Sequence, residues 1–273
     1  MMKKLTIVAL CLAAAILSSC CCPYCRERMT QEKEVNKRFG VDSPRPVVNV
    51  AKCDSPITLD GKLDDPAWAK AQTYQMASPF IGRDMLPKMK ANRDSEPFEG
   101  AEVKYLYTAD TLYIGVKLQD SDVYQNGIDD QSHFYQQGDL VEVFLKPENA
   151  SPYWEIYGTP NNLKTTFRFT ARGCGRSDWG ELDPAYKCAA TVQGTLNKSD
   201  DKDGGWTIEM AFPFKMLEAF CGVPFGKGQK WTCLVARYNY NNTYTGYQNS
   251  SVPMLPQANY HLIEYYAALN LLD

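Results

Sequence analysis

The sequence is poor in histidine and has no excess of positive charge. Its 273 residues include only two histidines, His133 and His261, so a zinc site built from several imidazoles is disfavoured. Lys and Arg number 29 against 32 Asp and Glu, and the resulting net charge of −3 argues against a nucleic-acid partner. There is no Gly-x-Ser-x-Gly sequence, no P-loop and no glycine-rich dinucleotide fingerprint, so these enzyme classes lack support.

The composition is that of an ordinary globular protein. Hydrophobic residues make up 44% and charged residues 22%, which excludes disorder over the whole chain. The aromatic residues include 17 tyrosines against 5 tryptophans. Tyrosine favours β-strands and offers a flat, amphipathic surface for stacking on ligands.

The first nineteen residues have the features of a secretory signal. Lys3 and Lys4 precede an apolar stretch over residues 5–17 that is too short to span a bilayer comfortably. The stretch runs into Leu-Ser-Ser-Cys at residues 17–20, which resembles the lipobox of bacterial lipoproteins. The resemblance implies lipidation of Cys20 and a protein anchored in the cell envelope, at the outer membrane on its periplasmic or surface face. An ordinary cleaved signal peptide is the alternative.

The remaining chain divides into a tether and a domain. Residues 20–46 contain the lipidated cysteine and a dense run of charged residues with no apolar stripe to bury, which predicts a solvated tether. No later stretch approaches eighteen consecutive apolar residues, so no transmembrane helix is expected in the mature protein. We expect the folded domain over residues 47–273.

Short segments with period-two alternation dominate this domain and predict β-strands. They lie at residues 103–107, 111–118, 140–145, 153–157, 165–170, 189–194, 205–211 and 230–239. Short helices are predicted at 65–70, where Asp65 is the cap and Pro66 the first helical residue, and at 214–220. Many short strands and one or two short helices indicate an all-β fold, an antiparallel β-sandwich of the immunoglobulin or jelly-roll kind.

Cysteine is plentiful, with ten residues in the chain. Because export leads to an oxidising compartment, disulfides are permitted. We expect two local pairs, Cys174 with Cys188 and Cys221 with Cys233, because each would close a short loop between neighbouring segments.

Several segments, in order, are similar to carbohydrate-binding module family 9. They are ITLDGKLDDPAW at 57–68, AEVKYLYTADTLYIGVKLQD at 101–120, GDLVEVFL at 138–145, GWTIEMAFPF at 205–214 and the closing segment 259–269. The resemblance covers about residues 50–273. It implies a β-sandwich that binds a glycan without catalysis, in company with glycan-degrading enzymes in some members.

Glu142 is the first candidate ligand residue. On the strand 140–145 it shares a face with Phe144, opposite the apolar face formed by Val141, Val143 and Leu145. A carboxylate on a sheet surface can accept hydrogen bonds from sugar hydroxyls, and the resemblance implies that this glutamate does so. A solvated position or an ion pair is the alternative.

The family clamps a sugar between two tryptophans, and this sequence departs from that pattern. The first position falls at Tyr135 or Gln136 and the second at Tyr260, while Ser251 stands where another tryptophan is usual. Either the tyrosines take over the stacking or the site has lost affinity. Ordinary packing positions remain the alternative for both tyrosines.

Four further residues are candidates for ligand contacts. Tyr157 aligns with a sugar-contacting arginine, Arg237 matches an arginine common in the family, and Asn239 follows on the same face. His261 could donate a hydrogen bond to a ligand. Arg237 could instead pair with Glu142 or Glu209, and His261 could be structural.

No cofactor is predicted, but a structural calcium ion is left open. Asp120, Asp122, Asp129 and Asp130 lie in one region and offer the oxygen ligands that calcium prefers, although the spacing is not that of an EF-hand.

Two other functions compete with glycan binding. A glycoside hydrolase would use a pair of carboxylates, which 32 acidic residues supply by chance. A haem-binding electron-transfer domain could use His133 or His261 with Met254 as axial ligands. A structural or assembly role is the remaining alternative.

Overall fold

A computed structural model describes residues 37–40, 43–80, 97–175, 180–243 and 246–273. The chain divides into two units, residues 1–44 and 45–273. Nearly all of the first unit lies outside the described residues, and with it the predicted signal, Cys20 and most of the tether. The second unit begins within two residues of the predicted domain start.

The described part of the second unit is mostly β-structure. Its strands are β1 (Val47–Lys52), β2 (Tyr74–Gln75), β3 (Ala101–Tyr107), β4 (Thr111–Leu118), β5 (Leu140–Pro147), β6 (Tyr153–Gly158), β7 (Lys164–Ala171), β8 (Cys174–Gly175), β9 (Lys187–Gln193), β10 (Gly205–Pro213), β11 (Trp231–Tyr240), β12 (Tyr247–Val252) and β13 (Ala267–Leu271).

The strands form one hydrogen-bonded path, β8-β7-β6-β5-β11-β13-β1-β3-β4-β10-β9, with β12 added to β11 and β2 to β3. Strand β1 connects the two halves of this path. Its first four residues pair with β13 and its last two with β3, and both pairings are parallel. The prediction of an all-β class is confirmed. The antiparallel β-sandwich is not confirmed in this detail, because both pairings of β1 are parallel and the sheet is mixed.

The two halves of the path share one apolar core. Val141, Val143 and Ile156 from one half and Ile114 and Ile208 from the other belong to the same buried cluster. The opposite face of β5, β6 and β11 is also covered, by a second buried cluster rich in aromatic residues. Every residue of β5 and β6 is therefore buried.

Both predicted helices are present. Pro66–Lys70 is a 3-10 helix whose cap, Asp65, accepts a hydrogen bond from the Ala67 amide. The α-helix α1 spans Phe214–Cys221 and ends at Gly222, which adopts the left-handed conformation that favours glycine. Two further 3-10 turns lie at Phe134–Gln136 and Ile263–Tyr265. None of the helices in the described segments has the length and apolar character needed to cross a bilayer.

Glu209 on β10 holds the segment that precedes the first helix. Its carboxylate accepts hydrogen bonds from the amides of Asp60 and Gly61, at 2.9 and 2.8 Å, and from Trp68 Nε1 at 2.8 Å. Gly61 has a φ of 77°, and a Cβ on it would lie 2.6 Å from the Ala190 backbone. The matching segments at 57–68 and 205–214 therefore have a structural role.

The predicted disulfides are not formed. Cys174, Cys188, Cys221 and Cys233 are all free thiols. Cys174 lies in β8 and Cys188 in β9, and these two strands are not paired with each other. The Cys221 thiol is directed toward the Pro152 carbonyl and Cys233 is buried in the core.

Candidate functional site

A cavity of about 330 Å³ lies on the aromatic face of β5, β6 and β11. Its walls come from these strands, from β7, and from the segments around residues 133–135 and 258–261. The lining residues are His133, Tyr135, Glu142, Phe144, Glu155, Tyr157, Phe169, Gly173, Tyr238, Ala258, Asn259, Tyr260 and His261.

Strand register brings together the carboxyl groups of Glu142 and Glu155, which form the polar floor of the cavity. Glu142 on β5 is paired with Tyr157 on β6, and Phe144 is paired with Glu155. Because paired residues point to the same face, the two glutamates are diagonal neighbours on one surface. On the other side of β5, Glu142 is paired with Ala236, whose methyl group fills little of the space beside the carboxyl group.

The two carboxyl groups are buried and influence each other. Glu142 is 3% exposed and Glu155 is 5% exposed. Burial, and then the charge of Glu155, raises the pKa of Glu142 well above its ordinary value. Burial raises the pKa of Glu155 to about 7, and the hydrogen bond that it accepts from the Tyr157 hydroxyl opposes this shift. The pair therefore retains a proton near neutral pH.

His261 completes the polar side of the cavity. Its Nδ1 lies 2.8 Å from the Tyr153 hydroxyl, which also accepts a hydrogen bond from the Gly173 amide. Its Nε2 lies 3.7 Å from Glu155 Oε2. Burial lowers the pKa of His261, so the ring is neutral at pH 7 and supplies no positive charge to Glu155.

Tyrosine rings form the more open wall. Tyr135 and Tyr238 are half-buried, with ring centroids 5.8 Å apart and planes inclined by 35°. Tyr238 also packs edge-on against Tyr260 at 5.4 Å. A half-open pair of aromatic rings above two carboxyl groups can contact the apolar and polar parts of one ligand at the same time.

Five of the eight predicted ligand residues meet in this cavity: Tyr135, Glu142, Tyr157, Tyr260 and His261. Gln136 does not line it; its side chain is exposed and donates a hydrogen bond to the Tyr135 hydroxyl. Ser251, at the position of the missing tryptophan, is buried on β12 and donates to the Pro253 carbonyl.

Arg237 and Asn239, two of the predicted ligand residues, lie on the opposite face of β11 and do not line this cavity. Arg237 is fully buried and donates to Asp120 Oδ2 at 3.1 Å, to Asn239 Oδ1 at 2.7 Å and to the Gln119 carbonyl at 2.7 Å. Asn239 donates in turn to Glu99 at 2.8 Å. Residues 237 and 239 alternate with 236 and 238, so they cannot share the face of Tyr238. The ion pair that Arg237 makes is with Asp120, not with Glu142 or Glu209.

Tyr260 lines the cavity as a structural residue. It is 6% exposed, its hydroxyl donates to the Arg237 carbonyl at 2.8 Å, and it accepts a hydrogen bond from Asn249 at 2.9 Å. Tyr238, which is half-buried, is more exposed than Tyr260 among the lining residues.

Glu155 and Tyr238 are the principal site residues that the sequence analysis missed. The alternation Tyr153-Trp-Glu155-Ile-Tyr157 puts Glu155 on the face of Tyr157, and this signal was available. Tyr238 required the pairing of β11 with β5, which the sequence does not specify.

The four aspartates considered for calcium do not form a common site. Asp120 is bonded to Arg237 and Trp206, while Asp130 accepts the Lys164 amide and pairs with its side chain. Within the described segments, no three His, Cys, Asp or Glu side chains are grouped as metal ligands would be. Met254 does not line the cavity that contains the two histidines.

The domain is therefore mostly β and contains a small cavity lined by polar and aromatic side chains. Residues 59–232 match the family described as carbohydrate family 9 binding domain-like, and the chain belongs to this family.

Two solved structures show the same overall architecture. A provisionally assigned carbohydrate-binding protein from Bacteroides uniformis is 12% identical with a TM-score of 0.61, covering 84% of this chain and 100% of that chain. A family 9 module from Caldicellulosiruptor kristjanssonii, in complex with cellotriose, is 14% identical with a TM-score of 0.53, covering 82% and 92%. At these identities the likeness concerns the fold. No curated protein matches the chain.

Proposed function

We propose that this protein binds a saccharide, without catalysis, in the cavity floored by Glu142 and Glu155. The main observation in support is that two neighbouring carboxyl groups and two half-buried tyrosine rings line one cavity, in a chain that belongs to this family. The family 9 module complexed with cellotriose supports the ligand class.

Each part of the cavity has a chemical task in this proposal. The carboxyl groups of Glu142 and Glu155 accept hydrogen bonds from sugar hydroxyls. His261 Nε2 forms a hydrogen bond with a further hydroxyl of the same sugar. The rings of Tyr135 and Tyr238 cover the apolar face of the sugar ring. The volume of about 330 Å³ is at the low end for small-molecule sites, which favours the end of a sugar chain over a long internal stretch.

The location of the protein is also a proposal. Lipidation of Cys20 would hold the domain in the cell envelope, at the outer membrane, where it would present glycans to degrading enzymes. The support is the sequence of residues 1–20 and the charged segment that follows.

Calorimetric titration of the full-length chain with glucose, cellobiose and cellotriose tests the proposal. We expect millimolar to micromolar dissociation constants, weakened about tenfold by Tyr238→Ala, which corresponds to about 1.4 kcal/mol of lost contact. Tyr74→Ala is the matched control, because Tyr74 is half-buried on β2 outside the cavity. Tyr260→Ala is a poorer probe, since it also removes buried hydrogen bonds. A folded protein that binds none of these sugars would contradict the proposal.

A second candidate function uses the same two carboxyl groups. A retaining or inverting glycosidase needs a pair of carboxyl groups beside the scissile bond. The appearance of new reducing ends during incubation with cellotriose would favour hydrolysis, whereas binding with no new reducing ends would favour the non-catalytic function.

A further inference from the structure

The cavity is lined by two acidic side chains and by two histidines that burial keeps neutral at pH 7. The described residues that line it include neither lysine nor arginine. Two buried cations belong to the neighbouring strands, and both have partners outside the cavity. Arg237 is on the opposite face of β11 and pairs with Asp120, and Lys146 at the end of β5 donates to the carbonyls of Pro147 and Ala150. A ligand that carries its own positive charge would supply the missing counter-ion.

We propose that the preferred ligand is a saccharide with a free, protonated amino group, a hexosamine, whose ammonium group sits between Glu142 and Glu155. The inference rests on the proposed function and narrows it from saccharides in general to cationic ones.

The hydrogen-bond inventory of the floor favours an ammonium group over a hydroxyl group. Glu155 Oε1 accepts from Tyr157, but none of the described residues donates a hydrogen bond to the buried Glu155 Oε2. The hydroxyl of Tyr157 has a single proton to share between two carboxyl groups. An ammonium group brings three donors and a charge, so it can satisfy Glu155 Oε2 and Glu142 together, whereas a sugar hydroxyl brings one donor.

The walls add a second attraction for a cation. Phe144, Tyr135 and Tyr238 present aromatic rings to the same cavity. A cation near the face of an aromatic ring is attracted by the ring quadrupole, most strongly where water is excluded. Carboxyl groups below and aromatic rings around the cavity therefore both attract a cationic ligand. A neutral sugar of the same shape is attracted by neither effect.

The groups that face the two carboxyl groups are uncharged at neutral pH. Burial raises the pKa of Tyr153, Tyr157 and Tyr266 and lowers the pKa of His261. Burial also lowers the pKa of His133, which lines the same cavity. Beyond Tyr153, Arg172 is paired with the exposed Glu264. The carboxyl pair is thus the group that titrates, and an arriving ammonium group must displace the proton that it shares.

Calorimetric titration of the full-length chain with D-glucosamine, D-glucose and N-acetyl-D-glucosamine tests this inference. At pH 7 we expect glucosamine to bind at least tenfold more tightly than either neutral sugar. At pH 5 the preference falls to within about threefold, because protonated carboxyl groups no longer attract the cation. Titrations at pH 7 in two buffers of different ionisation enthalpy should show release of a proton on binding of glucosamine alone.

Glutamine variants remove the charge of the carboxyl groups and keep the shape of the cavity. Glu155→Gln keeps the size of the side chain and should reduce the preference for glucosamine to within about threefold. Glu142→Gln is the second variant, for use if the first does not fold. Glu102→Gln removes an exposed carboxylate on β3 and should leave the preference unchanged.

The outcomes distinguish this inference from the function on which it rests. Glucose binding as tightly as glucosamine overturns the inference and leaves saccharide binding intact. Tight glucosamine binding that Glu155→Gln and Glu142→Gln do not weaken also overturns it. If methylammonium binds and no sugar does, or if no probe binds, both the inference and the proposed function fail.

Discussion

Three buried glutamates on this domain show how far the surroundings of one residue type determine its chemistry. Glu209 accepts hydrogen bonds from two amides and an indole. Glu142 and Glu155 share one tyrosine hydroxyl and face each other in a cavity. A buried carboxyl group with one donor has accepting positions left for a ligand, whereas one that accepts from three donors is already engaged. The surroundings of Glu209 suit a structural role, and those of Glu142 and Glu155 suit a ligand site.

Stability should depend on pH through the carboxyl pair. Because folding raises the pKa of Glu155 from 4.5 to about 7, the folded state binds more protons than the unfolded state in this interval. The free energy of unfolding is therefore highest below pH 4.5 for this group and falls as the pH rises to about 7, by about 3 kcal/mol. Glu155→Gln should remove this part of the slope. Urea unfolding of both proteins at pH 5 and pH 8 measures it, and parallel losses of stability in the two proteins would contradict the assignment.

At the scale of the elements, strand pairing brings the side chains of the cavity together. Alternation along 140–145 predicted that Glu142 and Phe144 share a face, and the same rule applied to 153–157 places Glu155 beside them. The rule could not reveal that the segment around residues 253–266 covers this face, because local alternation carries no information on which loop packs where. It also could not identify Asp120 as the partner of Arg237, 117 residues away.

The hydrogen bonds that Glu209 accepts join β10 to the segment before the first helix, and their loss should lower the free energy of unfolding. Glu209→Ala leaves two amides and the Trp68 indole without their acceptor in a buried position. Unsatisfied buried donors cost roughly 1–3 kcal/mol each, so we expect the free energy of unfolding to fall by about 3 kcal/mol or more. Urea unfolding followed by tryptophan fluorescence measures the change. Glu102→Ala, at an exposed position, is the control and should cost less than about 0.5 kcal/mol.

At the scale of the whole molecule, the domain is held together by its core and its strand pairing. The five cysteines of the described segments, Cys53, Cys174, Cys188, Cys221 and Cys233, are all free thiols. Short loops in the sequence made two disulfides plausible, but in neither pair do the two cysteines lie on strands that are hydrogen-bonded to each other. Cys174 and Cys188 are on β8 and β9, and Cys221 and Cys233 are on α1 and β11. Closeness in sequence does not specify which segments pair.

Reducing conditions should therefore leave the thermal stability unchanged. We expect the midpoint of thermal unfolding to shift by less than about 1 °C when a thiol reductant is added. Removal of a native disulfide from a domain costs about 2–5 kcal/mol, which would lower the midpoint by several degrees. A drop of that size, or failure of the unfolded, unreduced protein to react with a thiol reagent at these cysteines, would show that disulfides form.

The two parallel pairings of β1 have a mechanical consequence. Val47–Val50 are bonded to β13 and Ala51–Lys52 to β3, all along one strand direction. A load directed along β1 is therefore resisted by its hydrogen bonds to both neighbours together, because all of them lie across one strand direction. Under the proposal that the amino-terminal side is anchored and the cavity binds a sugar chain, β1 would carry that load where the two halves of the strand path join.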